Sequence, residues 1–259
     1  MILGLLVGGV LTGQSLMQAA QIRSQLAQIT ELTSSVNAFK GKYFYLPGDL
    51  PNAVALGLGT DTTYHNGNGD GSLGVAYFQL NNGGGKESEN FYMQLAKAGL
   101  MAGSYTGYDT VGGNNAAATL AMLDARYVRG KAPSAATVWV FPSYMESGAQ
   151  WGIPGRDMGN GFALAGHPPA SYFSRSITSI VAYQMDTKMD DGLPLNGKVG
   201  VNKMSVASQF IAETTATAEA STAIYEKCYE TTNAWRFDNS WFNNPEATNS
   251  CTVIFGNLF

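Results

Sequence analysis

The start of the chain divides by pattern into two parts. Residues 1–12, MILGLLVGGVLT, carry no charge and a single hydroxyl. From Leu16 onward the apolar positions Leu16, Ile22, Leu26, Ile29, Leu32, Val36, Phe39 and Tyr43 recur mostly at threes and fours. That is the spacing of one helix face. No proline interrupts residues 1–46. The pattern therefore predicts one continuous helix, apolar all round over 1–13 and amphipathic over 14–46. About 40 residues in a helix extend about 60 Å. The apolar run falls short of the roughly 20 residues that span a bilayer. It also lacks the basic n-region and small-residue cleavage site of a secretory signal. Gly4, Gly8, Gly9 and Gly13 form two successive GxxxG spacings. Such spacings let helices approach closely, which compensates the cost of glycine in a helix.

The sequence LPGDLPNA (46–53) ends the helix, because Pro47 biases Leu46 out of helical geometry and two prolines fix an extended turn. Residues 54–86 read as a Gly/Asn/Asp-rich loop, longer than the roughly 12–15 residues of a plain connection, hence functional or tied down. A helix follows at 87–101, with Phe91, Leu95 and Leu100 inward, and another at 115–125. Strands are predicted at 137–141 and, more weakly, at 161–166. Ser174 or Ser176 can cap a helix running to 189, and strands close the chain at 198–201 and 252–255. The fold class is α+β: a long N-terminal helix (1–46) packed on a head (47–259) built on an antiparallel sheet with long loops.

Composition narrows the classes. Charged residues are 13%, against roughly 25% in ordinary soluble proteins. The net charge of −4 excludes a dense basic face for nucleic acid. Hydrophobic content of 45% excludes disorder. The two cysteines, Cys228 and Cys251, cannot complete a zinc site. Bridged, they would close a loop of about 24 residues, worth about 3 kcal/mol. An oxidising compartment favours that bridge over two unrelated buried thiols.

Asn66-Gly67-Asn68-Gly69-Asp70-Gly71 places side-chain oxygens at alternate positions, as in the first half of an EF-hand loop that wraps calcium. The match is partial: the twelfth position falls on Tyr77. Glu87 or Glu89 could supply the remote carboxylate, as could Asp61. The competing reading is a glycine-rich turn with Asx self-bonding. Asp186, Asp190 and Asp191 crowd the negative end of a helix, where either a cation or a cap at Gly192 would serve. Trp235, Phe237 and Trp241 could stack on a surface ligand such as a sugar, or pack in a core or subunit interface. GxxxxGK at 192–198 contains Pro194 and continues with Val199, and GxGxxG at 69–74 follows a loop, so neither reads as a nucleotide site. There is no GxSxG elbow, and His65 and His167 read as loop residues. The sequence predicts no enzyme.

Several segments together resemble the type IV pilin and type II secretion pseudopilin superfamily. They are ILGLLVGGVLTGQ (2–14), KYFYLPGDLPNA (42–53), NGNGDG (66–71), ENFYMQLAKAGLMAGSYTG (89–107), KMDDGLPLNGK (188–198) and CTVIF (251–255). The superfamily's prepilin peptidase site (Gly, then Phe, then a Glu four residues on) has no counterpart here, so on this reading Met1 lies inside the membrane segment. The resemblance implies a structural subunit that polymerises with its own copies. The helix would pack through Gly4, Leu5, Leu6, Val7, Gly8, Gly9, Val10, Leu11, Gly13 and Leu16. It implies residence in a bacterial inner membrane before assembly, then a cell-surface filament (or the periplasm for a pseudopilin), with pilus or secretion machinery as partners. The alternatives are a minor pilin or pseudopilin and, from another class, a surface glycan-binding module.

Overall fold

The computed structural model describes residues 2–73, 86–108, 120–132, 137–141, 159–165, 177–194, 196–201, 229–230, 234–235, 251 and 253–259. Helix α1 runs unbroken over Ile2–Tyr43. Its apolar face is the one read from the sequence: Ile22, Ile29, Leu32, Val36 and Phe39 are buried in the core, with Leu26 and Tyr43 packed against it. Toward the N-terminus the helix leaves the head, and Val10, Leu16 and Met17 are exposed. Among the described residues no helix is long and apolar enough to cross a membrane.

Helices α2 (Lys86–Lys97), α3 (Leu120–Arg126) and α4 (Ser179–Met189) accompany seven strands: β1 (Val128–Arg129), β2 (Thr137–Phe141), β3 (Gly161–Ala165), β4 (Val199–Val201), β5 (Tyr229–Glu230), β6 (Ala234–Trp235) and β7 (Val253–Phe255). Five of them form an antiparallel sheet in the order β1-β2-β3-β7-β4, and β5 and β6 form a separate pair. Strand β7 lies between β3 and β4 with Val253, Ile254 and Phe255 all buried. It is covered on both faces, which is why its sequence shows an apolar run and no alternation. Cys251 extends this line, exchanging backbone hydrogen bonds of 2.9 and 3.2 Å with Ile177.

The molecule is thus a long N-terminal helix on a small antiparallel sheet, as the pattern predicts. The predicted strands at 137–141, 161–166 and 198–201 fall on β2, β3 and β4. Helix α4 starts later than expected: Thr178 is its cap, its hydroxyl accepting from the Val181 amide at 3.3 Å. Ser174, Ser176 and residues 115–119 lie outside the described residues. Short β1 and the β5–β6 pair carry no signal in the sequence, being only two residues each.

Helix α2 is the central anomaly. Its sequence, KESENFYMQLAK, is polar, yet Glu87 through Leu95 are all buried. Phe91 supplies apolar packing, its ring meeting Phe162 and Phe259 at 6.0 Å each. Tyr92 donates to the Val138 carbonyl at 3.0 Å. The polar side chains serve as anchors for the irregular segment 44–73, whose backbone groups need partners. Asn90 donates to the Tyr64 carbonyl and accepts from the Tyr108 amide. Gln94 accepts from the Gly48 amide at 2.7 Å and donates to the His65 carbonyl at 3.0 Å. The long loop is tied down, and α2 ties it. Helix α1 is fixed to the sheet edge in the same way: buried Gln25 accepts from the Lys131 and Ala132 amides, and Gln28 donates to the Arg129 carbonyl.

Candidate metal centre

Three carboxylates converge where the turn after α1, the glycine-rich loop and the first turn of α2 meet. One oxygen each of Asp49, Asp70 and Glu87 lies within 4.8 Å of the others. Ligands of one calcium, each at about 2.3–2.6 Å, can be up to about 5 Å apart. Asp49 is fully buried, Glu87 is 7% exposed, and Asp70 reaches solvent. Asp49 and Asp70 line a cleft of about 290 Å³ together with Lys40, Phe44, Tyr45 and Asn160.

The loop is wound around Asp49. Its carboxylate accepts from the amides of Gly69 (2.6 Å), Asp70 (3.2 Å) and Gly71 (3.0 Å). Gly69 and Gly71 have φ of 79° and 82°, a region glycine enters without strain. Gly67 packs so closely that a Cβ there would run into the Asp49 backbone. The alternating glycines thus turn successive amides toward one carboxylate.

Of the five residues proposed from the sequence, the structure brings Asp70 and Glu87 together and adds Asp49. Asn66 Oδ1 accepts from the Val54 amide at 3.0 Å, which fastens the loop. Asn68 Oδ1 accepts from the Asp70 amide and its Nδ2 donates to Asp70 Oδ2, both at 2.9 Å. Asp70 Oδ1 accepts from Ser72 at 2.8 Å. The loop's Asx side chains therefore self-bond, as the competing reading expected. Glu89 faces away and pairs with Arg126, both 1% exposed. Asp61 caps its own turn by accepting from the Thr63 amide. Asp49 was missed because it sits in the LPGDLPNA turn, where an aspartate reads as turn chemistry; its distance in sequence from NGNGDG hid the contact.

Electrostatically, Lys40 lines the same cleft as Asp49 and Asp70, but it makes no ion pair with the three acids. Among the described residues no Lys, Arg or His forms an ion pair with these three carboxylates. Lys86, beside Glu87 in sequence, lies instead over the stacked rings of Tyr64 and Tyr108, 5.0 and 5.8 Å from their centroids. Burial is the largest effect on Glu87. It and the charges of Asp49 and Asp70 outweigh the hydrogen bond from Asn68, and raise its pKa from 4.5 to about 7. Burial likewise raises Asp49, against the three amides that favour its charged form. Glu87 Oε1 accepts from the Asn68 amide at 2.9 Å, while its Oε2 is buried with no hydrogen-bond partner.

The other expected sites resolve differently. Asp186, Asp190 and Asp191 also cluster. Asp190 Oδ2 accepts from the Lys198 and Val199 amides, Asp191 from Leu193, and Gly192 takes the left-handed cap conformation, φ 76°. The Asp190 and Asp191 carboxylates fasten the loop after α4. His65 is a buried structural residue: Nδ1 accepts from the Thr60 amide, so Nε2 carries the proton and donates to the Tyr108 carbonyl. Trp235 lies on β6, and Phe237, Trp241, Cys228 and His167 lie outside the described residues. Of the helix positions expected to pack between subunits, Gly4 to Gly9 and Leu11 lie within unbroken α1, and Val10, Gly13 and Leu16 are exposed. Comparison with known protein families, with characterised proteins and with solved structures yields no match.

Proposed function

We propose that this chain is a structural, non-enzymatic subunit of a type IV pilus-like filament, polymerising through the N-terminal part of α1. The observation that carries this reading is the division of that helix. One half is buried in the head; the other projects with apolar side chains in the open, Val10 at 59%, Leu16 at 67% and Met17 at 63% exposed. Burying a Leu or Met is worth about 1.5–3 kcal/mol, so a row of them seeks a membrane or copies of itself. Beside Gly13 there is open space within 4 Å of where a Cβ would sit, which leaves room for a neighbouring helix to approach. On this reading the partners are further copies of the chain and the pilus or type II secretion machinery. The subunit resides in a bacterial inner membrane until it is assembled at the cell surface. A Cys228–Cys251 disulfide belongs to the same proposal: it would tie the β5–β6 region to the end of β7 in an oxidising compartment.

The test is substitution on the projecting half. Val10→Asp, Leu16→Asp and Met17→Asp are expected to abolish filaments while leaving thermal unfolding of the head within about 0.5 kcal/mol of the wild type, as for other exposed sites. Filaments that persist in all three variants would contradict the proposal.

A further inference from the structure

We infer that Asp49, Asp70 and Glu87 hold a calcium ion that clamps the turn after α1 to the glycine-rich loop and to the first turn of α2. Two independent observations point to the ion. The first is convergence: one oxygen each of three carboxylates from three chain segments lies within 4.8 Å of the others, two of the residues out of water, with Lys86 turned onto tyrosine rings and Lys40, on the cleft, in no ion pair with them. The second is Glu87 Oε2, a buried carboxylate oxygen with no hydrogen-bond partner on a side chain otherwise held by Asn68. Buried polar atoms are nearly always satisfied, and an orphan of this kind points to a ligand. A buried carboxylate facing two others is costly unless it is paired or coordinates a metal. Every donor the cluster offers is a hard oxygen, which selects calcium or magnesium over zinc or copper. Calcium is the better fit, because the site is assembled from an irregular loop and opens on a cleft that water can fill. Calcium accepts 6–8 oxygens in flexible geometry, whereas magnesium demands a near-regular octahedron.

The clamp does not depend on the filament reading, and its test is separate from assembly. The full chain in detergent is unfolded by heat, followed by near-ultraviolet circular dichroism, in EGTA, in calcium chloride and in magnesium chloride. At calcium roughly 100-fold above its dissociation constant, a chain of this size should gain about 5–10 °C in Tm. Magnesium should give a smaller gain. Glu87→Gln keeps the shape, removes the buried charge and should lose the calcium-dependent rise, while melting in EGTA no lower than the wild type. Asp124→Asn, at the exposed Arg129 pair, should keep the full rise. Terbium, excited through neighbouring tyrosines such as Tyr45, should bind the wild type, be displaced by calcium, and lose its emission in Glu87→Gln. Overturning results are an unchanged Tm in calcium, an equal rise with magnesium, or a calcium response that survives Glu87→Gln.

Discussion

Glu87 shows how a single residue sets the behaviour of the site. In the folded head it keeps its proton up to about pH 7; in the unfolded chain it loses it near 4.5. Between those values the folded state binds more protons than the unfolded one. Its contribution to stability is therefore complete below about pH 4.5 and is lost as pH rises through 7, a change of up to about 3 kcal/mol. Asp49, raised by the same burial, acts with the same sign. In EGTA the Tm is expected to fall as pH rises from 4.5 to 7.5, and calcium should remove most of that fall by binding the ionised form. A Tm in EGTA that is flat or rising over this range would contradict the assigned environment of Glu87.

At the scale of elements, α2 organises the head. Its polarity would place it on the surface by pattern alone, but Asn90 and Gln94 finish the hydrogen bonding of the neighbouring loop. The Arg126–Glu89 pair joins α3 to α2 in the interior. Removing one partner leaves a buried charge uncompensated, which costs about 3–5 kcal/mol. Arg126→Met should therefore destabilise by that amount in thermal unfolding, and Arg126→Met with Glu89→Gln should recover much of it. A single variant as stable as the wild type would show the pair to be dispensable. This contrast also explains what could be read in advance. Helix α1 was legible because Ile22 to Phe39 repeat with the helix period and its core face is apolar. Strands β2, β3, β4 and β7 were legible from runs such as TVWVF. The loop's anchoring was not legible, because Gln94 and Gly48, or Asp49 and Asp70, meet through tertiary folding and leave no local pattern. Two of the three carboxylates of the cluster, Asp70 in NGNGDG and Glu87, were visible; Asp49 was hidden in a turn motif.

At the scale of the whole molecule, α1 is buried along one part and exposed along another. Its amphipathic half completes the core of the head through Ile29, Val36 and Phe39, and its apolar half projects beyond it. The candidate calcium clamp lies at the C-terminal end of this helix, where Asp49 follows the turn. A force along α1 would reach the head through that turn, so bracing it suits a subunit held in a polymer by its helix. The most direct measurement is mass spectrometry of filaments sheared from the native cells, with their N-termini mapped and their identity checked by electron microscopy. The account predicts that this chain is a component of the sheared filaments and that Leu16→Asp removes it from them. Its absence from that fraction, with the protein soluble and monomeric in the cell, would contradict the account.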